Sequence, residues 1–327
     1  MTQNNAAGLI FFRRKVPQSG SAMNASTPDR RTVLTGAAAA LAVPAFANAQ
    51  PPQQLYKTIP STGIAIPAVG MGSWLTFDVG ANAQLRAART EVLREFFRLG
   101  GAVIDSSPMY GTSQAVIGHA LDELGRPDRT FAADKVWIDD GAQGPAQIDE
   151  SRRRWGVDRF NLLQVHNLVS WRAHLETLFA MKAEGQLAHV GVTSYSGHHY
   201  DEMERILRDH PIDFIQLTYN MADRRAENRL LPMAHEKGVA VIANRPFGEG
   251  AVINAAKRHP LPEIAAEIGA ANWAQFLLKF IISHPAITAA IPATRRVDHM
   301  RENMGALSGS MPDRDLRLRM VQSFDAL

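Results

Sequence analysis

The sequence predicts an α/β protein with one domain, a (β/α)8 TIM barrel. After residue 67, eight short apolar segments alternate with amphipathic segments of helical period, which is typical of parallel βα units. The chain has 327 residues, and barrels of this kind routinely use ~250 residues for one domain. The first apolar segment contains GMGSW, which lacks the third glycine of a G-x-G-x-x-G turn, so an open Rossmann sheet is not expected.

The elements of this barrel can be placed in chain order. A small hairpin is expected over residues 57–67, turned by Ser61-Thr62-Gly63, and Gly70 and Gly72 are expected to allow close backbone approach in the first strand. The expected strands are 68–74, 102–105, 131–137, 161–167, 189–195, 214–220, 239–246 and 289–294. The expected helices are 82–99, 113–124, 146–155, 173–184, 199–209, 226–237 and 272–283, another beginning near Val297, and a last one over 313–324.

The first 49 residues have the organisation of an export signal. Arg30-Arg31 precedes a mild apolar run over residues 35–46, and Ala47-Asn48-Ala49 follows as a small-x-small cleavage site. The run is too short and too rich in alanine to be a permanent membrane anchor. We therefore expect a twin-arginine (Tat) signal peptide, export to the periplasm by the Tat machinery, and a barrel over residues 50–327. A disordered tail is the alternative interpretation, and Met23 is an alternative start.

Composition and charge exclude several classes of function. The chain contains no cysteine, so it has neither disulfides nor thiolate metal sites. Residues 1–49 carry five basic side chains and one acidic side chain, a net charge of +4, whereas the whole chain carries +3. The remaining residues therefore carry −1. The basic character belongs to the leader, and nothing in the barrel region indicates a nucleic acid or an anionic membrane as partner.

Polar side chains lie at or near the ends of three successive predicted strands. Asp105 ends the second strand and Tyr110 lies on the loop beyond it, while Lys135 and His166 end the apolar runs of the third and fourth strands. The C-terminal ends of barrel strands meet at one face, where the active sites of such barrels lie. A tyrosine of pKa ~10 is a poor acid near neutral pH, and a nearby ammonium lowers that pKa. Singly, each residue is more often structural; together they predict a proton-donor site.

In this order and spacing, the four residues resemble the catalytic tetrad of the aldo-keto reductases. The resemblance extends over about residues 58–303. It implies a (β/α)8 barrel that reduces an aldehyde or ketone to an alcohol with NAD(P)H. Tyr110 would be the proton donor, Lys135 and Asp105 would support it, and His166 would orient the carbonyl and share the proton.

The resemblance also implies a cofactor site at the ends of the later strands. Thr193-Ser194 stands where the family has a serine-asparagine pair that binds the nicotinamide carboxamide, and Gln216 matches the glutamine that holds it from the other side. Asn244 replaces the family's stacking tyrosine. Arg245 is a candidate for the pyrophosphate, because a guanidinium matches phosphate oxygens well.

The adenosine end of the implied site follows the eighth strand. The candidate donors to a 2′-phosphate are Thr294, Arg295 and Arg296, and the candidates for the adenine end are Glu302 and Asn303. Ala293 and His299 replace a lysine and an arginine of the family motif. Because Thr294, Arg295 and Arg296 remain as donors to a 2′-phosphate, the expected cofactor is NADPH, with NADH as the alternative.

The substrate mouth is expected to have an apolar rim suited to aldehydes or ketones. The candidate rim residues are Trp74, Met109, Trp137, Asn167 and Trp171. The adjacent His198 and His199 have no evident acidic or cysteine partner, so no metal is expected. Two other functions stay open: a cofactor-binding sensor or regulatory barrel with little turnover, which the changed strand-seven motif favours, and a lyase or dehydratase without cofactor.

Overall fold

The computed structural model describes residues 54–327, in which eight parallel strands curve into a barrel. The hairpin strands are β1 (Tyr56–Thr58) and β2 (Ala65–Pro67), and the barrel strands are β3 (Met71–Gly72), β4 (Val103–Asp105), β5 (Phe131–Val136), β6 (Phe160–His166), β7 (Leu187–Thr193), β8 (Phe214–Thr218), β9 (Ala240–Asn244) and β10 (Ala289–Ala290). Each barrel strand pairs with the next, and parallel bridges Val69–Ala290 and Gly72–Ala293 join the last to the first. The predicted barrel is confirmed; the predicted signal peptide lies outside the described residues.

Helices surround the sheet and connect its strands. They are α1 (Ala83–Arg98), α2 (Ser113–Glu123), α3 (Gly144–Trp155), α4 (Trp171–Ala183), α5 (Tyr200–Asp209), α6 (Leu230–Glu236), α7 (Ala251–Ala256), α8 (Ile264–Glu267), α9 (Trp273–Ile282), α10 (Val297–Gly305) and α11 (Arg314–Asp325). Within the described residues, none of these helices is long and apolar enough to cross a membrane.

The alternation of side chains along the strands separates two apolar cores. One core lies inside the barrel and includes Val103, Phe131, Leu162 and Phe214; the other lies between the sheet and the helices. The antiparallel β1–β2 hairpin contributes to the inner core, where Ile66 is buried. The hairpin therefore closes the amino-terminal end of the barrel, and the opposite end is left for the polar residues at the strand ends.

The two glycines predicted to allow close approach do so. A Cβ on Gly70 would lie 2.9 Å from the carbonyl oxygen of Val103, and a Cβ on Gly72 would lie 2.8 Å from that of Ile291. Both contacts are shorter than any side chain tolerates, so glycine is required where the first strand passes its two neighbours. The regular pairing of β3 is only two residues long, shorter than the predicted strand.

The connection between β9 and α9 differs most from the sequence prediction. It contains α7 and α8, which were not predicted because helices of six and four residues are too short to show a helical period. A smaller point concerns Ser113, which as a serine at the start of α2 is of the residue type that favours the N-cap. The cap position is Thr112, and the Ser113 hydroxyl instead lies 3.0 Å from the Ser106 hydroxyl.

Candidate active site

A buried ion pair lies at the carboxyl ends of β4 and β5. The Lys135 Nζ donates to Asp105 Oδ2 at 2.5 Å and to the Ser106 carbonyl at 2.7 Å. Burial by itself lowers the pKa of Lys135, but the attraction of Asp105 and of Tyr110 more than offsets it, so the pKa is raised overall. Lys135 is therefore a fixed positive charge at neutral pH.

Two glutamines hold the other oxygen of the Asp105 carboxylate. The Gln216 Nε2 donates to Asp105 Oδ1 at 2.9 Å, and the Gln164 Nε2 lies 3.4 Å from the same oxygen. Thr193 in turn donates its hydroxyl to Gln216 Oε1 at 3.1 Å. Gln164 was not predicted, although one signal was available: it shares the inner face of β6 with His166, where apolar residues are expected.

Tyr110 lies above this ion pair. The Lys135 Nζ is 5.1 Å from the centre of the Tyr110 ring, and the His166 ring stands edge-on to it at 5.6 Å between centroids. Burial raises the pKa of Tyr110, and the charge of Lys135 opposes this effect without cancelling it. The expectation that Lys135 brings this pKa below its ordinary value is therefore wrong for this structure. The phenol keeps its proton at neutral pH.

His166 is held neutral and in one orientation. Its Nδ1 lies 2.8 Å from the Ser107 hydroxyl, which also accepts a hydrogen bond from the Met109 backbone N–H at 3.2 Å. Burial, reinforced by the charge of Lys135, lowers the pKa of His166 to about 2. Ser107 was not predicted, and a serine beside Ser106 and Pro108 carries no sequence signal that separates it from an ordinary turn residue.

These residues open into a cavity of about 630 Å³, within the range of small-molecule sites. Asp105, Tyr110 and His166 line it, and Lys135 lies beneath them. The other predicted residues that line it are Thr193, Gln216, Arg245, Thr294, Glu302, Asn303, Trp74, Met109 and Asn167. The barrel thus brings together Asp105 at a strand end and Asn303 on α10, which are 198 positions apart in the chain.

A comparison of sequences decides which protein family this site belongs to. The sequence profile described as the Aldo/keto reductase family matches residues 68–318. The chain belongs to this family. The predictions of an aldo-keto reductase and of an enzyme of the oxidoreductase class are thereby confirmed.

Individual relatives are more distant. The methylglyoxal reductase YeaE of Escherichia coli is 27% identical over 266 residues, which cover 79% of this chain and 91% of that protein. An NADH-specific methylglyoxal reductase of Escherichia coli is 26% identical over 242 residues, 63% of this chain and 72% of that protein. The crystal structure of an aldo/keto reductase from Klebsiella pneumoniae in complex with NADP and acetate superposes with a TM-score of 0.69 at 24% identity, covering 82% of this chain and 94% of that one. At this identity it shows the fold alone.

Several predicted site residues of this aldo/keto reductase do not line the cavity. They are Ser194, Arg295, Arg296, Trp137 and Trp171. The Ser194 hydroxyl lies 2.7 Å from His199 Nδ1, and Arg296 donates its Nε to Asp298 at 2.9 Å. Trp171 lies in the outer helix layer, where its Nε1 donates to Glu202 at 3.0 Å. Their roles stay predictions.

The reductase also has cavity residues that were not predicted. Among them are Tyr195, Glu249 and Lys257. The Arg245 guanidinium lies 4.0 Å from the centre of the Tyr195 ring and 5.8 Å from that of Trp74, and it pairs with Glu249 at 2.7 Å. Much of this wall is formed by the connection between β9 and α9, where the sequence shows no regular period. The described residues include no group of three histidine or acidic side chains placed to hold a metal ion.

Asp134, next to Lys135 in β5, points to the opposite side of the sheet. It is fully buried against α2, where the Gln114 Nε2 donates to its Oδ2 at 2.7 Å, and its Oδ1 accepts from the Lys135 backbone N–H at 2.8 Å. Burial raises the pKa of Asp134 to about 7 against the opposing influence of Lys135 and Gln114. The folded reductase therefore favours the protonated form of the Asp134 carboxyl at pH values below about 7.

We expect Asp134→Asn to remove part of the pH dependence of stability. Between the unfolded pKa of ~3.9 and the folded pKa of about 7, the folded state binds a proton that the unfolded state does not. The free energy of unfolding of the wild type therefore falls as the pH rises through this window and is level above it. Denaturant unfolding at pH 5 and pH 8 should show a larger gain for the variant at pH 8. Asp158→Asn, at an exposed position, is the control, and equal gains at both pH values would contradict the assignment.

Proposed function

We propose that this protein is an exported NADPH-dependent reductase that converts a small aldehyde or ketone to an alcohol, with NADH as the alternative reductant. The observation that carries the proposal is the assembly of Asp105, Tyr110, Lys135 and His166 at one end of the cavity. Family membership supports it, as do relatives described as methylglyoxal reductases and a similar fold solved with NADP.

The residues that line the cavity fit a nicotinamide dinucleotide. Thr193 and Gln216 offer polar groups to a carboxamide, and Arg245, Lys257 and Thr294 offer donors to phosphate oxygens. When bound, the reduced cofactor supplies the hydride to the carbonyl carbon. For Arg245 to bind phosphate, its guanidinium must share or exchange its present partner, Glu249.

Side chains of the protein supply the proton that the carbonyl oxygen receives during reduction. Tyr110 gives its phenolic proton to the carbonyl oxygen, and the raised pKa of this group keeps the proton available until then. Lys135, fixed in charge by Asp105, lies where it stabilises the negative charge left on Tyr110. When Ser107 donates to His166 Nδ1, Nε2 carries the imidazole proton and can orient the same carbonyl oxygen.

The test is a titration of the purified protein with NADPH and with NADH, followed by a panel of small carbonyls that includes methylglyoxal. The proposal expects saturable binding and a carbonyl-dependent fall in absorbance near 340 nm. Binding of NADPH without turnover on any carbonyl would favour the sensor barrel. Turnover of a carbonyl compound without either nucleotide would favour the lyase or dehydratase.

Export is the second part of the proposal. Its support is the arrangement of Arg30-Arg31, the apolar run and Ala47-Asn48-Ala49 in the sequence. A nicotinamide enzyme outside the cytoplasm meets no obvious supply of its cofactor. The twin-arginine route is understood to carry folded proteins, so a barrel exported this way can take up NADPH before it leaves.

We expect Arg30→Lys/Arg31→Lys to leave the full-length precursor in the cytoplasm, folded and active. The substitution keeps the charge of the leader and changes only the paired guanidinium groups that the pathway requires. Cell fractionation with a reductase assay of each compartment measures the effect. The control is Arg13→Lys/Arg14→Lys, a basic pair ahead of Met23, which should be exported normally. Unchanged export of the Arg30/Arg31 variant would contradict the pathway.

A further inference from the structure

Helices α1 and α10 are neighbours in the outer layer of the barrel. Each begins after its strand, β3 or β10, and the barrel closes between these two strands. The N-terminal ends of both helices therefore lie at the face that holds the cavity. Arg301 of α10 donates its Nε to Glu95 of α1 at 2.6 Å. Arg89 and Arg295 each precede a member of this pair by six positions, so both lie nearer to the cavity.

The Arg89 guanidinium is buried and has no acidic partner. The residue is 7% exposed, and its Nε donates to the Thr76 carbonyl at 2.5 Å. Its Nη1 and Nη2 meet no hydrogen-bond acceptor within residues 54–327, and neither atom is sealed off from solvent. An arginine keeps its charge in proteins, and charged side chains are rarely buried unless they are paired. Arg89 is therefore a positive charge that lacks the counter-ion its burial requires.

Arg295 adds a second positive charge beside Arg89. Burial lowers the pKa of Arg89, the charge of Arg295 lowers it further, and no acidic side chain within residues 54–327 offsets either effect. In the described part of the chain Arg295 itself has no acidic partner, whereas the adjacent Arg296 donates its Nε to Asp298 at 2.9 Å. Arg89 and Arg295 thus form a pair of like charges without a carboxylate between them.

We propose that Arg89 and Arg295 bind a phosphate monoester at the edge of the cavity. The edge is formed by Thr76 and Thr294, since Arg89 is bonded to the first, Arg295 follows the second, and both threonines line the cavity. A phosphate monoester carries roughly two negative charges at neutral pH, so it balances both arginines, whereas a carboxylate balances one. Its oxygens also match the planar fork of a guanidinium.

The phosphate monoester has two possible sources. One is the 2′-phosphate of NADPH, and this source rests on the proposed function. The other is a separate phosphate, bound whether or not a nucleotide is present. In both cases the guanidinium that acts with Arg295 is that of Arg89, on another helix, and not that of the adjacent Arg296. The sequence does not single out Arg89, because an arginine in an amphipathic helix is ordinarily exposed.

The test measures the Kd of NADPH and of NADH for the wild type and for single variants by fluorescence titration. NADH lacks only the 2′-phosphate. If that group is the occupant, Arg89→Met and Arg295→Met should each raise the Kd of NADPH by about 10–100-fold, the effect of losing a hydrogen bond to a charged group. The Kd of NADH should change by less than about twofold. Arg295 is exposed, so its variant is expected to fold. Arg296→Met is the matched control and should keep both Kd values.

Unfolding by denaturant, with and without inorganic phosphate, tests the second source. Without phosphate, Arg89→Met should be at least as stable as the wild type, because methionine removes a buried charge that has no partner. Inorganic phosphate should raise the midpoint of the wild type and of Arg296→Met more than that of Arg89→Met or Arg295→Met. The general stabilising effect of phosphate salts is common to all four proteins and cancels in this comparison.

The outcomes separate the sources and the proposed function. Loss of affinity for NADPH alone assigns the site to the 2′-phosphate, and loss of phosphate stabilisation with both nucleotides unaffected assigns it to a separate phosphate. Equal losses for NADPH and NADH, an equal loss in Arg296→Met, or a folded Arg295→Met variant without any change would overturn the inference. A wild type that binds neither nucleotide would overturn the proposed function, and the comparison with inorganic phosphate would still decide the inference.

Discussion

Tyr110→Phe is expected to lower kcat for carbonyl reduction by about 10³-fold while the affinity for NADPH changes by less than about twofold. The substitution removes the hydroxyl that is proposed to give the proton and keeps the ring that packs against His166. The cofactor is proposed to be held by other residues, so its binding should not depend on the phenol. Steady-state kinetics and a fluorescence titration with NADPH measure the two quantities.

The cavity offers a matched control for this substitution. Tyr195→Phe also removes a tyrosine hydroxyl from the wall of the same cavity, and it keeps the ring that stacks on Arg245. Its kcat should stay within about threefold of wild type, since no proton transfer is assigned to it. Turnover by Tyr110→Phe within about tenfold of wild type, a difference of about 1.4 kcal/mol in activation free energy, would show that the assigned acid is wrong.

Lys135→Met is expected to abolish activity and to lower the free energy of unfolding by about 3–5 kcal/mol. The methionine leaves the Asp105 carboxylate buried at 2% exposure, with hydrogen bonds from Gln164 and Gln216 and no positive charge beside it. An unpaired buried charge is strongly destabilising, whereas loss of an exposed ion pair is not. Denaturant unfolding at neutral pH measures the effect on stability.

The double variant Lys135→Met/Asp105→Asn separates the two roles of this pair. With neither charge present, most of the lost stability should return, but Tyr110, the proposed proton donor, still lacks a neighbouring cation and activity should stay absent. Arg153→Met, which breaks the exposed pair with Glu150 on α3, serves as the surface control and should leave stability nearly unchanged. A stable Lys135→Met single variant would contradict the buried-pair assignment.

The barrel and three of its central polar residues could be predicted because both follow from strand patterns. The register of a parallel sheet brings strand ends together, so Asp105, Lys135 and His166 converge once their strands are recognised. Side chains beyond the strands could not be placed in the same way. Trp171 turns outward because Glu202 of another helix accepts its N–H, and Arg296 turns to Asp298. Such contacts depend on tertiary structure.

The pKa of Tyr110 shows a second limit of sequence reasoning. The presence of Lys135 near a tyrosine could be inferred from strand order, and its electrostatic effect has the expected sign. The magnitude of desolvation could not be inferred, because it depends on how completely the surrounding residues exclude water. Burial outweighs the lysine here, so the sign of the net shift is opposite to the expectation.

The Gln216 amide connects the support of the proton donor with the part of the cavity proposed for the nicotinamide. Its Nε2 donates to Asp105 Oδ1 at 2.9 Å, and its Oε1 accepts from the Thr193 hydroxyl at 3.1 Å. One planar amide group therefore contacts both parts of the site. A ligand that recruits either atom alters what the other can offer. By thermodynamic linkage this effect is reciprocal. If a ligand bound at Thr193 changes the strength of the Asp105–Lys135 interaction by some factor, that interaction changes the affinity for the ligand by the same factor. Binding of the reductant and the electrostatic support of Tyr110, the proposed proton donor, are then coupled equilibria.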